Sequence, residues 1–260
     1  MRRDFEGKVA IVTGSTQGLG EAIVRELGAR GAVGVVITGR DNDRGAAVAR
    51  DVDASGSRGL FVAADLTDPD APGRIITAAD EAFGRIDVLV NSAGFTERDS
   101  LWDSTLDHFD RMMAVNTRAP WFLMQGVAKI MVREEIAGTM VNVLSIALHG
   151  GPPFLASYCA SKSALATFTK NTANALLEHR IRVNALNPGW MSTPAEDDIQ
   201  RRFHDAEDGW QEEAGRRLPF GRLIDPEDAA RAVMFLASDE SGFMTGAVVD
   251  YDQQVIGTSD

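Results

Sequence analysis

Cysteine, lysine and long apolar runs are all scarce in this sequence of 260 residues. Its single cysteine, Cys159, has no partner within the chain, which excludes an internal disulfide framework of the kind found in small secreted domains. No uninterrupted apolar run approaches the roughly 20 residues that span a bilayer, and the opening stretch MRRDFEGKVAIVTG contains no separate apolar segment before a cleavage site. We therefore expect a cytoplasmic protein.

Positive charge is also in deficit, because 26 lysine and arginine residues face 38 aspartate and glutamate residues, a formal net charge of -12. This balance argues against nucleic acid and anionic membranes as partners, since both require a basic surface. The four histidines are dispersed, and no H-E-x-x-H motif or Cys/His cluster is present, so the sequence predicts no metal site. The sequence contains no G-x-S-x-G motif, so it does not indicate a serine hydrolase. A small molecule remains the expected partner.

Short runs rich in β-branched residues alternate with longer stretches of helical periodicity. Most of the short runs are continuously apolar, which is typical of strands covered on both faces. The pattern predicts strands at 8–14, 34–39, 59–65, 87–94, 139–145, 181–189 and 246–252, and helices at 21–30, 43–54, 69–83, 106–133, 158–179 and 226–236. Such alternation predicts an α/β fold, a doubly wound parallel seven-stranded sheet with helices on both faces, in one domain spanning residues 1–260.

One polar segment, residues 190–217, interrupts this rhythm between the sixth and seventh strands. A long excursion at the carboxyl edge of a sheet is often a lid over a binding site. A helical insertion on the surface is the alternative.

The run TGSTQGLG places glycines at positions 14, 18 and 20, between the first predicted strand and the first helix. In a doubly wound sheet this junction holds a dinucleotide pyrophosphate, because glycine lets the backbone approach the phosphates and the helix directs N–H groups at them. Taken alone, the spacing also allows a turn that is merely tight. Its position after the first strand favours the phosphate cradle.

Three further motifs follow in order: NSAG at 91–94, the set Ser145, Tyr158 and Lys162, and NPGWMST at 187–193. With the glycine run, they make the sequence resemble the short-chain dehydrogenase/reductase superfamily from residue 7 to about residue 252. The resemblance implies a Rossmann fold and an oxidoreductase that transfers a hydride between a nicotinamide cofactor and a secondary alcohol or ketone. It also implies a homotetramer in which the helices predicted at 106–133 and 158–179 pack against partners.

The same resemblance implies where the cofactor binds. Asp65 matches an acid that contacts adenine, although it is equally suited to capping the next helix, and Asn91 matches a residue on the adenine ribose side. The full set of expected cofactor contacts is Gly14, Ser15, Thr16, Gln17, Gly18, Leu19, Gly20, Arg40, Asp65, Leu66, Asn91, Ala93, Gly94, Tyr158, Lys162, Pro188, Gly189, Met191 and Thr193.

The end of the second strand bears on the choice between NADP(H) and NAD(H). NAD sites place a carboxylate there for the ribose hydroxyls, whereas NADP sites offer positive charge to the 2′-phosphate. Here the acid position holds Gly39, and Arg40 follows it. We expect NADP(H), with Arg40 on the phosphate. The alternative for Arg40 is a surface ion pair with Asp41 or Asp43, and NAD(H) stays open.

The catalytic residues are expected on two elements. Tyr158 and Lys162 are four residues apart and share one face of a helix. By resemblance, Tyr158 is the general acid in reduction and the base in oxidation, and Lys162 lowers its pKa, together with the charge of the oxidised nicotinamide. Ser145 hydrogen-bonds the substrate oxygen. Asn116 matches a fourth position, which holds a water that links Lys162 to solvent.

The substrate is the least determined part of the prediction. The family's pocket positions hold Ala147, His149, Leu155, Trp190 and Met191, with Ser145. His149 suits either a substrate hydroxyl or a backbone partner, and Trp190 suits either a sugar face or packing against the lid. A small free alcohol or ketone, such as a sugar or polyol, is favoured over a ketoacyl group on acidic acyl carrier protein, because the chain lacks a basic docking patch. A non-catalytic NADP(H) sensor is the alternative from another class.

Overall fold

The computed structural model describes residues 3–256, in which seven strands form one parallel sheet. The strands are β1 (Val9–Val12), β2 (Gly34–Gly39), β3 (Arg58–Ala63), β4 (Val88–Asn91), β5 (Thr139–Val143), β6 (Arg182–Pro188) and β7 (Val248–Tyr251). Their order across the sheet is β3-β2-β1-β4-β5-β6-β7, and every neighbouring pair is parallel. The predicted fold class is therefore confirmed.

Helices cover both faces of this sheet. Within residues 3–256 they are α1 (Gly18–Ala29), α2 (Asn42–Ala54), α3 (Ala71–Phe83), α4 (Leu106–Met113), α5 (Ala119–Arg133), α6 (Ala156–Ala175), α7 (Pro194–His204), α8 (Trp210–Arg216) and α9 (Pro226–Ala237). Three short 3-10 turns and one π-helical segment, Ala114–Arg118, complete the secondary structure. No helix among the described residues is long and apolar enough to span a membrane.

Two apolar cores stabilise the sheet, one on each face. Alternate residues of β1 belong to different cores, because successive side chains of a strand point to opposite faces. Val12 packs with residues of α1 and α9, whereas Ile11 packs with residues of α3 and α5. All residues of β1, β4 and β5 are buried. This explains why the central strands are continuously apolar in the sequence.

The strand order reverses at β1, which has β2 on one side and β4 on the other. Connections on the two sides leave the sheet in opposite directions, and a crevice forms outside the carboxyl ends of these strands. The fold therefore places the glycine run, the NSAG motif and the segment after β5 at one edge.

The single long helix predicted at 106–133 is interrupted. Residues Ala114–Arg118 form one wide π-helical turn between α4 and α5. Pro120 lies in the first turn of α5, where its missing N–H leaves no hydrogen bond unmade. The proline was a sequence signal for this break. The excursion at 190–217 forms α7 and α8, and residues of α7 line the crevice.

Candidate active site

The glycine turn after β1 has the backbone geometry that a phosphate cradle requires. Gly14 and Gly18 have φ values of +62° and +57°, a region that favours glycine. A Cβ atom at Gly20 would lie 2.3 Å from the carbonyl oxygen of Gly14, and one at Gly14 would lie 2.7 Å from the Cα atom of Ala93. Side chains at these positions would fill the space at the start of α1. The residues present therefore fit a dinucleotide pyrophosphate.

A cleft of about 1040 Å³ extends from this turn to the carboxyl ends of β5 and β6. It brings together most of the residues that the sequence predicts for cofactor, catalysis and substrate. The predicted residues that line it are Gly14, Thr16, Gln17, Gly18, Leu19, Gly20, Arg40, Leu66, Ala93, Gly94, Ser145, Ala147, His149, Leu155, Tyr158, Lys162, Pro188, Gly189, Trp190, Met191 and Thr193.

Four predicted site residues do not line the cleft: Ser15, Asp65, Asn91 and Asn116. The Ser15 side chain is buried behind the turn, where its hydroxyl donates to the Val12 carbonyl (2.7 Å) and accepts from the Thr38 amide (3.0 Å). It joins the ends of β1 and β2. The serine in the glycine run therefore supports the cradle from behind, whereas the sequence placed it in the cofactor site.

Asn91 is likewise turned into the protein. Its Nδ2 donates to Asn142 Oδ1 at 2.8 Å, and Asn142 in turn donates to Thr169 Oγ1 at 2.9 Å. These buried polar contacts connect β4, β5 and α6. The predicted contact of the Asn91 side chain with the adenine ribose is not formed by this geometry, because both residues of the asparagine pair lie within the core.

Asp65, just beyond β3, closes a turn in the loop that leads to α3. Its Oδ1 accepts from the amide and the hydroxyl of Thr67, at 2.9 and 2.8 Å. Partial burial raises the pKa of Asp65, but these hydrogen bonds and the charges of Arg40 and Arg111 outweigh it and keep the pKa below its ordinary value. Asp65 does not cap the next helix, as the sequence also allowed, because α3 begins only at Ala71 with Asp70 at its N-cap position.

Asn116 lies in the π-helical segment and is fully buried. Its amide accepts from the Phe95 amide (2.8 Å) and donates to the Phe95 carbonyl (2.9 Å) and to Ser161 Oγ (3.0 Å). The side chain thus fixes the loop after β4 against α6, one residue before Lys162. A π-helical turn at such a position is a common feature of functional sites.

Tyr158 and Lys162 share the buried face of α6, as the spacing predicts, and Ser145 stands opposite them after β5. Lys162 Nζ donates to the Val143 carbonyl at 2.9 Å and lies 5.8 Å from the centre of the Tyr158 ring. The two side chains are only 9% and 3% exposed. The Ser145 side chain hydrogen-bonds Tyr158 and begins the 3-10 turn at 146–149.

Burial dominates the protonation of this pair. It raises the pKa of Tyr158 to about 12, although the Ser145 hydrogen bond and the charge of Arg98 act in the opposite direction. It lowers the pKa of Lys162 to about 8. The sequence-based expectation that Lys162 depresses the pKa of Tyr158 does not hold for the protein alone. Desolvation destabilises the phenolate by more than the neighbouring groups stabilise it.

The environment of Arg40 differs from that of its neighbour Arg44. Arg44 pairs with Asp41 at 2.8 Å and also contacts Gln17, whereas Arg40 forms no ion pair with any described residue. Beside it, a Cβ atom at Gly39 would lie 2.5 Å from Thr16 Cγ2. The position where NAD sites carry an acid therefore has no room for one. The surface ion pair weighed for Arg40 is absent from residues 3–256.

At the other end of the cleft, the predicted substrate residues Trp190 and His149 contact α7 and the ends of β6 and β7, respectively. Trp190 Nε1 donates to Glu196 Oε1 at 2.8 Å, and its ring lies 5.7 Å from that of Trp210. The tryptophan therefore packs against the lid and also lines the cleft. His149 Nε2 faces the side chains of Asn187 and Asp250, at 3.3 and 3.4 Å.

Several cleft residues were missed by the sequence reasoning. They come from the loop after β4, from α4, from the loop before α6 and from α7: Phe95, Arg98, Arg111, Phe154, Glu196, Gln200 and His204. The position of Arg98, shortly after a central strand, was an available signal, because such loops form the rim of the crevice. For His204, fifty residues beyond the Phe154 ring that it contacts, the sequence held no signal.

Asp99 fixes the start of the catalytic helix and was also missed. Its Oδ1 accepts from the Ser157 amide (3.2 Å), and its Oδ2 accepts from the hydroxyls of Ser104 (2.8 Å) and Ser157. Its carbonyl oxygen accepts from the Ala156 amide at 3.3 Å. The carboxylate thus acts as a cap for α6, one residue before Tyr158.

One cleft contains the phosphate cradle, the buried pair Tyr158 and Lys162, and Ser145. This combination defines a nucleotide-dependent oxidoreductase of the α/β class. The profile of a family described as enoyl-(acyl carrier protein) reductase matches residues 14–253. A solved structure of a short-chain type dehydrogenase/reductase from Mycobacterium marinum has a TM-score of 0.87 and 28% identity, and the match covers 98% of both chains.

Three characterised relatives share the full length. The 3-oxoacyl-(acyl-carrier-protein) reductase of Thermotoga maritima is 31% identical over 95% of this chain and 97% of its own. The sorbitol dehydrogenase of Cereibacter sphaeroides has the same identity and coverage. The NADP-dependent (R)-specific alcohol dehydrogenase of Lentilactobacillus kefiri is 35% identical over 95% of this chain and 96% of its own. The chain belongs to the short-chain dehydrogenase/reductase superfamily and is an NAD(P)-dependent enzyme of alcohol or ketone chemistry.

Proposed function

We propose that this enzyme transfers a hydride between NADP(H) and a small free secondary alcohol or ketone, a class that includes sugars and polyols. The observation that carries the proposal is the buried pair Tyr158 and Lys162 beside Ser145, at the far end of a cleft that begins at the glycine turn. A proton donor, a cation and a hydroxyl meet there, and the first two are largely buried.

In this proposal the cofactor supplies or accepts the hydride, and the protein handles the proton. Tyr158 is protonated at neutral pH, with a pKa of about 12, and can give its hydroxyl proton to a carbonyl oxygen during reduction. Ser145 donates a hydrogen bond to the same oxygen and stabilises the charge that develops there. Lys162, held by the Val143 carbonyl, stabilises the tyrosinate that remains. Oxidation reverses each step.

The preference for NADP(H) is supported by three neighbouring residues. Arg40 has no ion-pair partner among the described residues and lines the cleft beside the glycine turn. Gly39 lacks the acid that would bind ribose hydroxyls, and Thr16 occupies the space that such an acid would need. One relative, the alcohol dehydrogenase of Lentilactobacillus kefiri, is named as NADP-dependent.

A 3-oxoacyl reductase acting on acyl carrier protein is the second candidate, because a relative of that name matches the chain over its length. An acidic carrier protein requires a basic surface at the entrance. The basic residues Lys129 and Arg133 lie together on α5, but Arg133 is already paired with Asp80 (2.7 Å) and Glu134 (2.6 Å). The charge balance therefore favours a small free substrate.

A homotetramer in the cytoplasm completes the proposal. Among the apolar residues of the segment 106–133, which is expected to pack against partners, Met112 and Met124 lie in the core of the chain, and Trp121 stacks on Phe168 at 4.4 Å. Phe122 is 45% exposed on α5 and is available to a partner. Light scattering coupled to gel filtration tests this: a mass of about 28 kDa would refute it.

The function is tested by steady-state screening of secondary alcohols, polyols and ketones with NADP(H) and NAD(H) in parallel. We expect turnover with at least one free ketone or polyol and a higher kcat/KM with NADP(H). Tyr158→Phe should bind NADPH like the wild type but lose turnover by about 10²–10⁴-fold, the usual contribution of a positioned acid or base. Undiminished turnover in Tyr158→Phe would show the mechanism to be wrong, and NADPH binding without any turnover would favour a sensor.

A further inference from the structure

Arg98 lies at the substrate half of the cleft, in the loop between β4 and α4. Its Nε donates to His204 Nε2 and its Nη1 to the Thr96 carbonyl, both at 3.0 Å. The guanidinium stacks on the Phe154 ring, 5.4 Å from the ring centre. These contacts hold the group in place from three sides, while the side chain as a whole lines the cleft.

The positive charge of Arg98 has no ion-pair partner within residues 3–256. Its two hydrogen bonds go to neutral acceptors, and they leave Nη2 free. The side chain is about half buried, and this desolvation lowers the pKa of Arg98. A partly buried cation is costly without a counter-charge. By contrast, Arg202 on α7 forms ion pairs with Asp198 and Glu97.

Glu196 is the carboxylate whose charge acts most strongly on Arg98, and it already accepts two other hydrogen bonds. Its Oε1 accepts from Trp190 Nε1 and from Gln200 Nε2, both at 2.8 Å. It acts on the charge of Arg98 through space without forming an ion pair. The segment 190–200 therefore fixes this carboxylate for its own packing, and Arg98 lines the cleft without an ion pair to it.

Resting on the proposed function, we infer that the substrate carries a carboxylate, which Arg98 binds through Nη2 while Ser145 and Tyr158 hold the reacting oxygen. The substrate class is thus an oxo acid in one direction and the corresponding hydroxy acid in the other. A single free nitrogen on one arginine matches a monoanion, because a phosphate dianion requires more donors. His204 fixes the guanidinium plane, because its Nε2 accepts a hydrogen bond from Arg98 Nε.

The test compares each oxo acid with its methyl ester, which is nearly the same size but neutral. Suitable pairs are 3-oxobutanoate with methyl 3-oxobutanoate and 4-oxopentanoate with methyl 4-oxopentanoate, each reduced with NADPH. A charge-assisted hydrogen bond is expected to favour the acid by about 10- to 100-fold in kcat/KM. Arg98→Met should bring the acid-to-ester ratio close to one, and Arg98→Lys should keep part of it. The matched control, Arg202→Met, should keep the wild-type ratio.

The outcomes separate this inference from the proposed function. Wild-type enzyme that reduces esters at least as well as acids would overturn the inference and leave the proposed function standing. The same conclusion follows if Arg98→Met lowers both rates equally, because Arg98 would then only tie the lid to the loop. If neither acids, esters nor the ketones of the wider screen oxidise NADPH, the proposed function itself fails. The wild-type comparison requires no variant to fold.

Discussion

The cofactor preference depends on one exposed arginine, and its removal gives a quantitative prediction. Arg40→Gln keeps the length and polarity of the side chain but removes its charge. Because Arg40 forms no ion pair with any described residue, although its charge acts on Asp65, its guanidinium is available to a 2′-phosphate. We expect NADPH to bind more weakly and NADH to bind as before.

The size of the effect follows from the surroundings of Arg40. A hydrogen bond to a charged group contributes about 1.5–3 kcal/mol, and the lower end applies because the side chain is exposed to solvent. At about 1.4 kcal/mol per tenfold change, the Kd for NADPH should rise roughly tenfold. Arg44→Gln should have a smaller effect, since Asp41 already neutralises Arg44 at 2.8 Å.

Fluorescence titration of NADPH and NADH against the wild type, Arg40→Gln and Arg44→Gln measures these constants. Arg50→Gln, on an exposed face of α2 outside the cleft, controls for a general loss of positive charge. The NADPH affinity of the wild type should fall as salt screens the pair, and that of Arg40→Gln should change less. Equal weakening of NADPH and NADH, or a larger effect at Arg44, would refute the assignment of the 2′-phosphate to Arg40.

Three further predictions concern the rest of the cleft. The sequence has two tyrosines, so ultraviolet titration of the variant Tyr251→Phe reports Tyr158 alone. The phenolate of Tyr158 should form around pH 12, because burial raises its pKa. Half-ionisation at pH 10 or below would contradict the burial argument. Gly20→Ala should abolish NADPH binding, because its Cβ would lie 2.3 Å from the Gly14 carbonyl oxygen, whereas Gly73→Ala, with open space around it, should bind NADPH normally; equal binding by both variants would show that the turn tolerates a side chain. Asp99→Ala should lower the free energy of unfolding in urea by about 2 kcal/mol, because the cap of α6 and the partners of two hydroxyls are lost; a change below about 0.5 kcal/mol would mean that water replaces the carboxylate.

Most of the fold could be predicted from the sequence because each central strand is buried on both faces and so keeps an unbroken apolar run. The boundaries were less predictable: the strand expected at 8–14 ends at Val12, since Thr13 already turns to accept hydrogen bonds from the amides of Ser92 and Ala93. The π-helical turn before Pro120 depends on contacts between Asn116 and the loop after β4, which helical periodicity does not encode.

The meeting of Ser145, Tyr158 and Lys162 in one cleft with the glycine turn could be predicted because the proposed chemistry requires particular residue types at fixed spacing. Ser15 and Asn91 have the right type and spacing, yet their side chains satisfy neighbouring strands, and one sequence does not distinguish the two uses. Arg98 and His204 are more than 100 residues apart. Their meeting depends on how the lid folds back, so the substrate end of the cleft became visible only in three dimensions.

Helix α7 touches both halves of the cleft. At its start, Thr193 caps the helix and lies against the glycine turn, 3.5 Å from where a Cβ of Gly18 would be, and at its end His204 bonds Arg98. This one helix of eleven residues thus contacts both the nucleotide end and the substrate end of the cleft. If it couples the two sites, the factor by which a bound nucleotide changes substrate affinity equals the factor by which a bound substrate changes nucleotide affinity, because such coupling is reciprocal. Nucleotide affinity is then a property that the substrate itself can set.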